Sequence, residues 1–164
     1  MKYEIRLLDI TLLMVNTENP RFEMVGNQRE AIALMFNNQK EKLVKLAQDI
    51  IDNGVNPSDL IIVTPHAKYD GKYNVLEGNR RVTALKLLNN PDLIPEKKKN
   101  ILNKFRNLSK QFKANPITKL NCVIFSDEKD AKLFALQTIL LIESILGVRM
   151  SFSLKKETIV AVIS

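Results

Sequence analysis

The run Val75-Leu76-Glu77-Gly78-Asn79-Arg80-Arg81-Val82-Thr83-Ala84-Leu85 passes from apolar strand-like residues, through one glycine, into a segment with Val82, Leu85 and Leu88 on one helical face. A strand that stops at glycine and turns straight into a helix leaves unsatisfied backbone N–H groups at the helix start, where the helix dipole also favours negative charge. Gly78 can take a positive φ and lets a ligand approach the backbone closely. Arg80 and Arg81 offer guanidinium forks suited to phosphate oxygens. The chemistry this points to is anion binding. The plainer alternative is that Gly78 only turns the chain and the arginines are solvated, although arginines sit poorly at the positive end of a helix with no anion to offset them.

A second concentration of charge lies further along. Lys97, Lys98, Lys99, Lys104, Arg106, Lys110, Lys113 and Lys119 stand against Glu96 alone, an excess equal to the net charge of +7 of the whole chain. Ile101, Phe105, Leu108 and Phe112 form one stripe at about 100° per residue, with Lys99, Arg106, Lys110 and Lys113 on the opposite side. Such a helix docks by one face and offers the other to a nucleic-acid backbone, or only to water. Other reactive types are scarce. His66 is the only histidine and Cys122 the only cysteine, so a multi-histidine or cysteine metal cluster cannot form, and Cys122, on a strand pattern, reads as core.

The elements that must position these residues follow from periodicity. Residues 4–8 read as a strand, and residues 9–19 lead irregularly to Asn19-Pro20-Arg21, where Pro20 stiffens the loop carrying Arg21. Residues 28–36 read as a short helix. Residues 42–52 form a better one, with Leu43, Leu46, Ala47, Ile50 and Ile51 at i, i+3, i+4, i+7 and i+8 and Gly54 just past its end. Residues 60–63 and 72–76 read as strands joined across Asp70-Gly71, with Thr64-Pro65 ending the first. Residues 80–88 are a helix, residues 120–124 a strand, and residues 127–146 a long apolar helix capped by Ser126 or Asp127. The expected fold class is α/β or α+β, with mixed strands and helices on at least one side of a sheet.

With 164 residues, 45% hydrophobic and 26% charged, the chain reads as a single folded domain of 1–164. A start of Met-Lys-Tyr-Glu-Ile-Arg and the lack of about 18 uninterrupted apolar residues give the expectation of a cytoplasmic protein with no membrane partner. A pI near 9.5 favours an anionic partner.

The segment around Gly78 resembles the Gly-Glu-Arg-Arg-x-Arg-Ala box of the ParB N-terminal domain, in the superfamily shared with sulfiredoxin, matching it at Gly78, Arg80, Arg81 and Ala84. Asn19-Pro20-Arg21 resembles that family's early Asn-Pro-x-x-Pro-Arg loop, and the helix, Gly54 and strand that follow resemble its helix-Gly-strand step. The resemblance covers residues 3–90. Residues 93–117 read as a basic helical insertion and residues 138–164 as a divergent, apolar end that could serve a protein partner or self-association.

By resemblance, Gly78, Asn79, Arg80, Arg81, Thr83 and Glu77, with Arg21 nearby, would hold the phosphates of CTP or ATP with Mg²⁺, in a DNA-associated protein of bacterial or phage origin. The sequence departs from the box at two places. Asn79 replaces a glutamate used near the triphosphate and its metal, and asparagine can donate to an oxygen but cannot act as a base. Thr83 replaces the last arginine. Glu143 is a loose echo of a second metal motif, and the cysteine that sulfiredoxin chemistry needs is absent at Asn79. Three functions are therefore carried forward: a nucleotide-binding module with DNA, a nuclease or phosphotransferase needing metal on such carboxylates as Glu77, Asp70 and Glu143, and a non-catalytic DNA-binding or protein-interaction domain using Lys99, Arg106, Lys110 and Lys113.

Overall fold

The computed structural model describes residues 2–15, 28–56, 59–94 and 98–146, and only the backbone of residues 38 and 138–146. Arg21, the side chain of Glu143 and the apolar segment 147–164 lie outside the described residues. Strands β1 (Tyr3–Asp9), β2 (Leu13–Val15), β3 (Ile61–Pro65), β4 (Tyr73–Glu77) and β5 (Lys119–Phe125) form one sheet in the order β1-β5-β3-β4-β2. Helices α1 (Gln28–Asn53), α2 (Asn79–Asn89), α3 (Lys99–Phe112) and α4 (Glu128–Leu146) complete the described residues, with short 3-10 turns at Ile10–Leu12 and Pro91–Leu93. The β1/β5 and β3/β4 pairs are antiparallel, and β3/β5 and β2/β4 parallel. The fold is α+β with a mixed five-stranded sheet, as the sequence leads one to expect. Among the described residues no helix is long and apolar enough to cross a membrane.

Both faces of the central strands are covered, which is why β3 and β5 read as near-continuous apolar runs rather than clean alternations. Ile61, Val63, Leu120, Cys122 and Ile124 face the larger core, built with α1, α2 and α3. Ile62, Val123 and Phe125 face α4 through Ala131 and Phe134. Asp127 starts α4 by accepting from the N–H groups of Lys129 (2.7 Å) and Asp130 (3.2 Å), the capping role expected of it.

Three expectations are corrected. The two helices expected over residues 28–36 and 42–52 are one 26-residue helix, α1. Its buried face runs Ala31, Ile32, Met35, Phe36, then Leu43, Ala47 and Ile50. The turn between Phe36 and Leu43 places Gln39 inward, with its Oε1 buried and unpartnered among the described residues, so the apolar stripe lapses while the backbone continues. Residues 9–19 are not irregular throughout, because β2 forms at Leu13–Val15 and pairs with β4. Thr64-Pro65 does not end β3, which runs through Pro65 opposite Tyr73. At the sheet edge, the side-chain amide of Gln28 serves as a strand substitute for β2: Val15 N–H donates to Gln28 Oε1 and Gln28 Nε2 donates to Val15 O, each at 2.8 Å.

Candidate anion-binding site

Strand β4 ends at Glu77, and Gly78 takes φ +92°, ψ +13° before α2 begins at Asn79. That left-handed geometry is cheap only for glycine. A second constraint is steric: a Cβ at Gly78 would stand 2.4 Å from Ile61 Cδ1. The positive φ is what demands glycine here, and a side chain at this position would also have to displace the terminal methyl of Ile61, which lies against the buried side of the turn.

The side chains divide sharply around this turn. Arg81 is half-buried and fixed to the segment just before β3, with Nη2 2.9 Å from Asp59 Oδ2 and Nη1 donating to Asp59 O at 3.0 Å. Asn79 Nδ2 donates to Val75 O at 3.0 Å, which ties the carboxamide back to β4. Thr83 is fully buried and its hydroxyl has no partner among the described residues. Glu77 is exposed at the end of its strand. Arg80 is exposed and makes no ion pair with any described residue, and the N-cap of α2, being Gly78, has no side chain with which to cap it. Of the residues expected to bind phosphate, Gly78, Asn79, Arg80 and Arg81 do converge on one turn, but only Arg80 is uncommitted there. Asp59, which immobilises Arg81, has no local signal in the sequence because it lies 22 residues away.

The basic helix presents a separate surface. Leu102, Phe105, Leu108 and Phe112 are buried, with Leu102 taking the innermost place expected of Ile101. Arg106, Lys110 and Lys113 line a polar groove of about 570 Å³ together with Asp92, Asn103 and Asn107. Lys99 lies at the first turn of α3, away from that lining. Arg106 reaches Asp92 at 2.9 Å across exposed surface, a contact worth at most about 1 kcal/mol.

No protein-family model matches the chain, and no curated protein sequence matches it. Among solved structures, the fold is similar to that of the C-terminally truncated chromosome-partitioning protein ParB from Caulobacter crescentus complexed with CTP-gamma-S, at 14% identity and a TM-score of 0.43. The match covers 93% of this chain and 58% of that one. So low an identity carries no residue's role from one chain to the other.

The remaining reactive groups are accounted for locally. His66 Nδ1 accepts from Lys68 N–H at 3.0 Å and its ring lies 4.8 Å from that of Tyr69, which shapes the β3–β4 loop. Burial pushes the Cys122 thiol up to about 12, so almost none is thiolate at neutral pH. Among the described residues no group of three or more His, Cys, Asp or Glu could hold a metal ion.

A feature the sequence did not single out lies at the other end of α2. Lys86 lines a largely apolar cavity of about 520 Å³ with Asp9, Ile10, Ile32 and Leu93. Burial, aided by the charge of Lys72 and opposed by Asp9, lowers its amine to about 8. In the unfolded chain the amine titrates near its ordinary value of 10.5, so between these pH values the unfolded state binds more protons and stability rises with pH. Below about pH 8 the full cost of burying the charge is present. Lys86→Met is therefore expected to stabilise the protein at pH 7 by on the order of 1–3 kcal/mol, with the gain fading as pH approaches 10.5. Urea unfolding at pH 7, 8.5 and 10 checks this; a gain independent of pH would show that desolvation of the charge is not its source.

Proposed function

We propose that the chain is a ParB-like nucleotide-binding module, which holds the phosphates of CTP or ATP at the start of α2 and lies against a nucleic-acid backbone through α3. The observation that carries the reading is the start of α2 at a glycine N-cap, which has no side chain to cap it, beside Arg80, exposed and without an ion pair among the described residues. A helix start of this kind supplies N–H groups and positive potential, and a free guanidinium adds a charge-assisted contact. The anchored Arg81 serves as the strut that sets the angle of the turn. The reading is one of binding, because Asn79 is no base and its carboxamide is held by Val75 O.

The basic groove on α3 favours the nucleic-acid part of the reading. Arg106, Lys110 and Lys113 face one groove, and three phosphate contacts correspond to a slope of about −2.7 in log affinity against log salt.

One set of variants tests both parts. Thermal shift with CTP, ATP and GTP, each with Mg²⁺, should show a stabilisation of about 2.7 kcal/mol for a ligand at about 100 times its Kd. Arg80→Ala should weaken that ligand about 10- to 100-fold without lowering the Tm of the free protein. Arg81→Ala should lower the free Tm and keep most of the shift. Arg106→Glu with Lys110→Glu should abolish duplex binding at low salt and leave the nucleotide shift intact. No shift with any nucleotide, or an unaltered one in Arg80→Ala, removes the nucleotide site.

A further inference from the structure

Among the described residues strand β1 is one edge of the sheet, and of the devices that usually blunt an edge it carries only charge, at Glu4, Arg6 and Asp9. All seven of its residues pair in unbroken register with β5, from Tyr3 opposite Phe125 to Asp9 opposite Lys119, and it contains no proline and no bulge. A regular edge of this kind presents unpaired N–H and C=O groups that can accept another strand. Its apolar residues are left in the open: Tyr3, Ile5 and Leu7 are 53%, 62% and 56% exposed. All three project to the face on which Tyr3 meets Phe125 and Phe134, with ring centroids 5.6 and 6.2 Å apart. Glu4 and Arg6 project to the other face and contact each other there.

We infer that β1 is a self-association edge, pairing antiparallel with β1 of a second copy of this chain about a twofold axis at Ile5. Such an axis stands perpendicular to the sheet and keeps each face on its own side. Residues directly opposite must point to the same face, so odd numbers can oppose only odd and even only even. The registers with the axis at Glu4, Ile5 or Arg6 are then the central choices. An axis at Glu4 sets Glu4 against Glu4 of the other copy and Arg6 against Lys2. An axis at Arg6 sets two arginines together. An axis at Ile5 sets Glu4 against Arg6 twice over, Tyr3 against Leu7 twice, and Ile5 against its own copy. Charge therefore selects one register of the three, and the selected register also joins the apolar residues into a continuous row between the two α4 helices. The interface is isologous and closes at two copies.

The test is sedimentation equilibrium of the full chain with a charge exchange across the axis. The wild type should form a dimer. Glu4→Arg alone, and Arg6→Glu alone, each create two like-charge oppositions and should weaken dimerisation about 10- to 100-fold. The double variant Glu4→Arg with Arg6→Glu restores both oppositions and should return dimerisation to near the wild-type level, which no loss of folding could mimic. A wild type that remains monomeric at the highest soluble concentration overturns the inference, including the case in which residues 147–164 of the same chain cover β1. A dimer indifferent to the single exchanges, or not recovered in the double variant, overturns it equally.

Discussion

Replacing Phe105 by alanine is expected to cost about 3–5 kcal/mol of folding stability. Phe105 is fully buried, and its ring meets that of Phe36 on α1 edge-on, at 6.4 Å between centroids and 65° between planes. Such a pair adds about 0.5–1.5 kcal/mol beyond the area buried. A double-mutant cycle with Phe36→Ala, read by urea unfolding, should return a coupling of that size. Phe105→Leu keeps part of the packing and should lose less, which preserves a measurable protein should the alanine variant fail to fold. Phe105 is one of the buried residues of α3, with Leu102, Leu108 and Phe112, that hold in place the helix carrying the basic groove. A loss under about 1 kcal/mol would mean that α3 is not docked in solution.

Gly78→Ala is expected to cost about 2–4 kcal/mol, combining the penalty for a side chain at positive φ with that of an overlap the neighbourhood must relieve. The contact at 2.4 Å is with the terminal methyl of Ile61, and this gives the experiment its control. Ile61→Val removes that methyl, so adding Gly78→Ala to the valine background should cost at least 1 kcal/mol less than adding it to the wild type. Thermal or urea unfolding measures both. Equal costs in the two backgrounds would show that backbone conformation alone accounts for the glycine.

That glycine marks how far sequence reasoning reaches. The order of strand, turn and helix around Gly78 was legible, because a change from period two to period 3.6 across a glycine is a local signal. One reason for the glycine was legible too, since its φ of +92° is the positive value expected; what was not legible is the neighbour its missing side chain would meet, Ile61, 17 residues earlier in the sequence by the numbering. Arg81 shows the same limit, since its ion pair with Asp59 is made only once β3 and β4 lie side by side. The helix at residues 42–52 was legible from its stripe, and its union with residues 28–36 was hidden by the polar run of residues 37–42, in which Gln39 takes an inward place. Strand β2 escaped notice because three residues carry too little pattern, and its pairing with β4 is non-local. The docked face of α3 was legible almost residue by residue, because in that helix apolar and basic positions separate cleanly.

The bond between Gln28 and Val15 gives the two borders of the sheet opposite characters. A strand arriving beside β2 needs the N–H and C=O of Val15, and one carboxamide from α1 already occupies both. A sheet open on both sides can add copies without end, in the manner of a fibre. Here, among the described residues, Val15 on the β2 side is already engaged from within the same chain while β1 has no such partner, so an incoming strand meets free backbone groups on one border and occupied ones on the other.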